Sequence, residues 1–389
     1  MVTDHWSLVT SSPITDHNSP LTNRSVPMKE IATMLVFIGT YTGDGSKGIH
    51  VCRFNLATGE LEAPRLVAET KNPTFLAIPP SQRFLYAVSE VGDFEGKPTG
   101  GVSAYAIEPA TGALTLLNQQ ESRGRGPCHV SVEPSGKYVL VANYGGGTVA
   151  MLPVQEDGRL GEATCAIQHE GSSANPQRQE GPHAHSITPD PGDRFAYACD
   201  LGLDKVMIYK LDLAQGRLVP NEPPFAQAKP GAGARHFDFH PNGKYAYLLN
   251  ELNATLTEFA YDAATGALTE LQTVPTLPED FHAFNLCADV HIHPNGRFVY
   301  ASNRGHNSLV VYAIDEPTGK LTFVERVSSG GEIPRNFAIA PTGKFLLAAN
   351  QDTGNIVVFR IDEETGKLIP TGNEVNVSQP VCLKMIPAG

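Results

Sequence analysis

Two histidines stand two residues apart in the segment GPHAHS, at His183 and His185. Alternate residues of a strand project to one face, so both rings can reach one ligand. Such a pair could hold a metal or exchange protons near neutral pH. No cysteine lies close and no third ligand follows at a fixed spacing, so neither a metal nor another cofactor is expected. General acid–base chemistry is the expectation instead. It would be supported by Arg235, Arg304 and Arg335 together with Glu90 and Glu251. A histidine beside a carboxylate can move a proton, while guanidiniums grip planar anions with two parallel hydrogen bonds. His240 and His293 belong to HPNG turns and read as turn residues.

These residues are brought together by a repeat. EPSGKYVLVAN, HPNGKYAYLLN, HPNGRFVYASN and APTGKFLLAAN are copies of one segment, with PPSQRFLYAVS and TPDPGDRFAYACD as looser ones. A second recurring element is the x-x-G-x-L turn, whose glycines are Gly59, Gly112, Gly158, Gly216, Gly266, Gly319 and Gly366, making seven units. β-Branched and aromatic runs alternate with tight-turn residues, so each unit reads as four short antiparallel strands. Units of about 50 residues with that content predict an all-β, seven-bladed β-propeller. The first unit starts in MLVFIGTYT, the counterpart of a second strand. The chain ends in QPVCLKMIP, the counterpart of a first strand. The C-terminal strand is therefore expected to complete the first blade, which removes an open sheet edge.

In a propeller, first strands begin and second strands end around the same mouth of the central channel. Aligned unit by unit, the ends of the second strands read Thr40, Ser89, Asn143, Asp200, Asn250, Asn303 and Asn350, a small polar set suited to tying turns. The next position reads Tyr41, Glu90, Tyr144, Leu201, Glu251, Arg304 and Gln351, with no common type. The first-strand starts read Thr74, Cys128, His183, Arg235, Ala288, Arg335 and Val381, followed by Phe75, His129, Ala184, His236, Asp289, Asn336 and Cys382. His183, Arg235, Glu251 and Arg304 are the candidate catalytic residues. His185, His129, His236, Asn143, Glu90, Asp289, Arg335, Gln351 and Arg178 are candidates for binding substrate. Arg178 lies in HEGSSANPQRQEGP (169–182), a long polar link expected to cross the mouth just before His183.

The formal charge of −12 argues against a nucleic-acid partner, which would need clustered Lys and Arg. No stretch approaches the ~20 apolar residues of a membrane span. Residues 1–33 are rich in Ser, Thr, Pro and Asn and read as a disordered extension without a signal-peptide core, ahead of one domain over 34–389. Six cysteines lie far apart, most in apolar runs, which suggests free thiols and a cytoplasmic location. A closed ring without a long apolar edge suggests a monomer.

The segments IGTYT, GPCHVSVEPSGKYVLVANYGGG, NPQRQEGPHAHSITPD, GARHFDFHPNGKYAYLLNE and SNRGHNSLVVY resemble the lactonase family of seven-bladed propellers, from about residue 34 to the C-terminus. That family includes propeller-type 6-phosphogluconolactonases and fungal carboxy-cis,cis-muconate cyclases. The resemblance implies hydrolysis of a small anionic sugar lactone or phosphosugar, with lactonising isomerisation of a muconate as the alternative. A binding propeller without catalysis is the third reading. The cyclase branch has a His, two Arg and a Glu proposed for its site, which fall on His183, Arg235, Glu251 and Arg304. On this reading His183 is the base, Glu251 orients it, Arg235 stabilises an oxyanion, and Arg304 and Arg335 bind the phosphate.

Overall fold

The computed structural model describes residues 32–43 and 45–389. Most of the 1–33 extension lies outside them, and the first strand opens at Thr33. The described chain folds into seven antiparallel sheets of four strands each, in the ring order expected from the repeats. Thr33–Thr40 pairs with Pro380–Pro387, so the last strand closes the first blade as the sequence indicated. The seven turn glycines all carry positive φ, between 62° and 86°, where an L-residue would be strained.

The second strand of each blade is the most deeply buried, because neighbouring blades cover both of its faces. Phe195–Asp200, Tyr245–Asn250 and Phe345–Asn350 are buried at every position, which explains why these segments read as unbroken apolar runs. Four of them bury a tyrosine completely: Tyr86, Tyr197, Tyr247 and Tyr300. Each hydroxyl donates to the carbonyl of a turn glycine in the next blade: Gly158, Gly266, Gly319 and Gly366 respectively, at 2.7–3.1 Å. A buried phenol needs such a partner, so these bonds clip blade to blade. All six cysteines are free; Cys165 is half-buried and the other five are buried.

The innermost strands run down the channel. Near the mouth most of them contain a β-bulge, with one extra residue at Cys128, His185, Arg235, Arg335 and Val381. In blade six, Ala288 and Asp289 oppose Ser302 alone. A bulge leaves its extra residue unpaired and re-aims the side chain. Ordinary alternation resumes below it, so the residues facing the channel form successive layers.

Candidate active site

The bulges decide which residues occupy the upper layer. In blade four the extra residue is His185, not His183: Ala184 pairs with Asp200, and Ser186 with Cys199. The sequence alignment was two residues out in this blade. His183 instead occupies the rim, where its carbonyl accepts the Leu201 N–H at 2.9 Å. That bond is equivalent to those between Glu90 and Asn72, Tyr144 and Gly126, and Glu251 and Gly233. The Asp200 carboxylate accepts the His183 N–H at 2.8 Å and fixes this start.

Glu251 is the centre of the upper layer. Its Oε2 accepts from Arg235 Nε at 2.9 Å, forms an ion pair with an Arg304 terminal nitrogen at 2.9 Å, and lies 3.8 Å from His185 Nε2. Its Oε1 accepts from an Arg178 terminal nitrogen at 2.7 Å. Burial alone would raise the Glu251 carboxyl, but Arg304, Arg235 and Arg178 outweigh it and hold the pKa at about 2. Arg235 also donates to the Ala288 carbonyl, and Arg304 to that of Cys287 at 2.8 Å. Burial pushes Arg304 down to about 9 against the pull of Glu251, so it keeps its charge at neutral pH. The expected partnership of Glu251 with His183 is therefore replaced by a clamp on three arginines.

Arg178 arrives from the 169–182 segment, which does fold over the mouth. His169 Nδ1 meets Asp200 Oδ2 at 2.6 Å, and Tyr209 donates to His169 Nε2 at 2.9 Å. Gln179 donates to the Leu201 carbonyl at 2.8 Å, and Ser173 bonds Asp204. The Asn175 side chain accepts the N–H groups of Gln177 and Arg178, making the turn that aims Arg178 inward. A terminal nitrogen of Arg178 also donates to the Tyr144 hydroxyl at 3.2 Å. The Tyr144 ring in turn stacks on His183, with centroids 4.5 Å apart. His183 Nδ1 donates to the Tyr144 carbonyl at 3.0 Å, which leaves the lone pair of the neutral ring on Nε2. That nitrogen lies 3.5 Å from the exposed Glu180.

A second cluster completes the mouth. Arg335 donates to the Tyr41 hydroxyl at 3.1 Å, and Tyr41 donates to Glu90 at 3.1 Å. Thr74 donates to the same carboxylate. Burial raises the Glu90 pKa, with Arg335 and the two hydroxyls opposing it. Tyr41 and Tyr144 were not singled out as candidates from the sequence. Both stand immediately after the small polar column, so their position was the available signal.

The remaining candidates fall elsewhere. Asn143 is fully buried and bonds the Ser122 carbonyl and Thr148, so it ties a turn and does not face a ligand. The Gln351 side chain donates to its neighbour Asp352, beside a cleft between the last and first blades. His129, His236 and Asp289 form a layer beneath the upper one, with Phe75. Their rings are in contact: Phe75 to His129 at 4.3 Å, His129 to His236 at 5.7 Å, and His236 to His185 at 5.4 Å. Burial and then the charge of Arg235 lower the pKa of His185 well below the usual range, so its ring is neutral. Burial likewise takes His236 down to about 4 despite its 2.7 Å contact with Asp289. Among the described residues no group of three or more His, Cys, Asp or Glu is placed to hold a metal ion.

The mouth therefore gathers four guanidiniums, of Arg178, Arg235, Arg304 and Arg335, against two carboxylates, of Glu251 and Glu90. Even with the exposed Glu180 carboxylate at the rim counted, positive charge is left over. Such an excess in a partly desolvated recess favours an anionic ligand.

Comparison with known proteins agrees with the fold. The family model described as "Lactonase, 7-bladed beta-propeller" matches residues 35–385. A protein of Bacillus subtilis named 6-phosphogluconolactonase is 40% identical over 350 residues, covering 90% of this chain and 97% of that protein. The crystal structure of a putative 6-phosphogluconolactonase from Bacteroides fragilis is similar with a TM-score of 0.86 at 35% identity, covering 93% of this chain and all of that one. The structure of the Pseudomonas aeruginosa periplasmic gluconolactonase PpgL is similar with a TM-score of 0.87 at 36% identity, covering 92% and 100%.

Proposed function

Because the chain belongs to the seven-bladed β-propeller lactonase family, we propose that it hydrolyses a sugar lactone carrying an anionic group, with 6-phosphogluconolactone as the substrate. The observation that carries the choice of an anionic lactone is the excess of positive charge around Glu251 and Glu90. A neutral lactone would leave that excess uncompensated.

Hydrolysis needs a base for water, a donor for the oxyanion and a proton for the leaving ring oxygen. His183 is the base: its Nδ1–H is committed to the Tyr144 carbonyl, and Nε2 is left to accept a proton at the rim. His185 is a poor alternative, since burial removes most of its basicity. Water attacks the lactone carbonyl and gives its proton to His183. The acyl–oxygen bond of the ring then breaks, and the departing oxygen takes that proton back. Arg235 and Arg304, held by Glu251 before substrate arrives, stabilise the oxyanion. Glu251 thus acts by fixing the arginines. Arg178, on the mouth segment and one-third exposed, meets the phosphate in place of the buried pair Arg304 and Arg335.

The excess charge suits a dicarboxylate equally well, which keeps the muconate reading in the experiment. Purified protein is offered 6-phosphogluconolactone, unphosphorylated gluconolactone and a carboxymuconate. Turnover of the first with the highest kcat/KM supports the proposal. Preference for the muconate, or inertness to all three, would overturn it.

A further inference from the structure

The layer formed by Phe75, His129 and His236 plugs the channel, since each ring lies within 6 Å of the next. Below it, and apart from the Glu251 mouth, a cavity of about 330 Å³ opens toward the opposite face. Its polar lining includes Ser131, Thr188, Asp238, His291 and Lys384, with Phe75 as its floor. That volume is at the lower end of small-molecule sites, which span roughly 300–1,000 Å³.

The polar groups here are held in place before any ligand enters. Asp238 accepts the backbone N–H groups of Phe239 and Ile292, both at 2.9 Å. Asp289 receives His236 Nδ1 at 2.7 Å and His291 Nε2 at 3.0 Å, which turns His291 Nδ1 toward Asp238, 3.9 Å away. Burial would lower the His291 pKa, but Asp289 and Asp238 raise it. On the first blade, the Lys384 ammonium lies 5.0 Å from the centre of the Phe75 ring, and no carboxylate or hydrogen-bond partner is found for it among the described residues. A half-buried ammonium lining the same cavity as an oriented carboxylate and two hydroxyls calls for a ligand that is both anion and alcohol.

We propose that this far chamber is a second binding site, taking a small polyhydroxy carboxylate, with the acid group on Lys384 and hydroxyls on Asp238, Ser131 and Thr188. The site does not depend on the lactonase reading, because binding is measured without turnover. The probe is sodium gluconate, titrated calorimetrically into the full chain, with acetate and inorganic phosphate as controls. The expected result is a binding event that Lys384→Met weakens roughly tenfold to a hundredfold, the range for a charge-assisted hydrogen bond. Asp238→Asn should weaken it too, and lactone kcat/KM should stay unchanged in Lys384→Met. Asp238 anchors backbone, so Lys384→Gln serves as the second variant if Asp238→Asn does not fold. Gluconate binding that is indifferent to both lysine variants overturns the site. Acetate or phosphate binding as tightly as gluconate overturns the ligand class. A crystal soaked in gluconate should show the acid beside Lys384; density only beside Glu251 would count against the site.

Discussion

Arg178 and Glu251 are 73 residues apart in sequence, yet a terminal guanidinium nitrogen of the first lies 2.7 Å from Oε1 of the second. Glu251 is already paired with Arg235 and Arg304 through its other oxygen. The third arginine is therefore the one that can leave for a substrate without stranding the carboxylate.

Arg178→Gln should raise KM for a phosphorylated lactone roughly tenfold to a hundredfold, the scale of one lost charge-assisted contact. KM for the unphosphorylated lactone should barely move. Steady-state kinetics on both substrates give the comparison; an equal rise for both would mean that Arg178 only holds the mouth segment in place.

Glu251→Gln leaves Arg178, Arg235 and Arg304 without their shared counter-charge. Breaking a buried pair from one side costs about 3–5 kcal/mol, so a drop in stability of that order is expected in denaturant titrations. Activity should fall as well, since the oxyanion donors lose their anchor. A variant as stable as the parent would show that the clamp contributes nothing.

His183→Ala should lower kcat by about 10²–10⁴, the usual contribution of a general base. His185→Ala should cost less, because its ring is neutral and poorly basic where it stands. The reverse ranking in single-turnover assays would move the base to His185.

Acid should destabilise the ring from near neutral pH. His129, His185 and His236 all have pKa values lowered by burial and by neighbouring positive charge. The unfolded chain therefore binds more protons once the pH falls below the ordinary histidine value of about 6.5. Their stabilisation is complete above that value and is lost toward the folded values, down to about 4 for His236. Unfolding free energies at pH 7 and pH 5 should differ, and His236→Gln should flatten the slope.

Glu258 should act in the opposite direction. It is buried between blades, neither carboxylate oxygen has a partner among the described residues, and burial raises its pKa to about 7 against the pull of Lys320. A raised folded value means that its contribution is whole at low pH and is lost as the pH rises through about 7. Glu258→Gln should accordingly raise Tm at pH 8 and leave it nearly unchanged at pH 5.

Much of this arrangement was legible in the chain itself. Seven turn glycines and an orphan strand at each end determine the blade count and the closure, because each four-stranded unit must bury its faces against identical neighbours. Column by column, the same repeat exposes Arg235, Glu251, Arg304 and Arg335 as departures from the common pattern, since ring-building positions tolerate only small polar or apolar types. Arg178 stood out through the length of the link that carries it.

Tertiary structure alone decided what these residues do to one another. His183 and His185 have the same parity on a strand, so alternation cannot choose between them; the bulge opposite Asp200 sends His185 into the channel and leaves His183 at the rim. Whether Glu251 faces a histidine or three arginines depends on side chains from separate blades and a mouth segment meeting across the ring, which no local spacing encodes. The plug of Phe75, His129 and His236, with Lys384 and Asp238 beneath it, follows from the same cause. The bulge near the head of most inner strands sets the depth of the residues below it, and the depth assigns each to one mouth or the other.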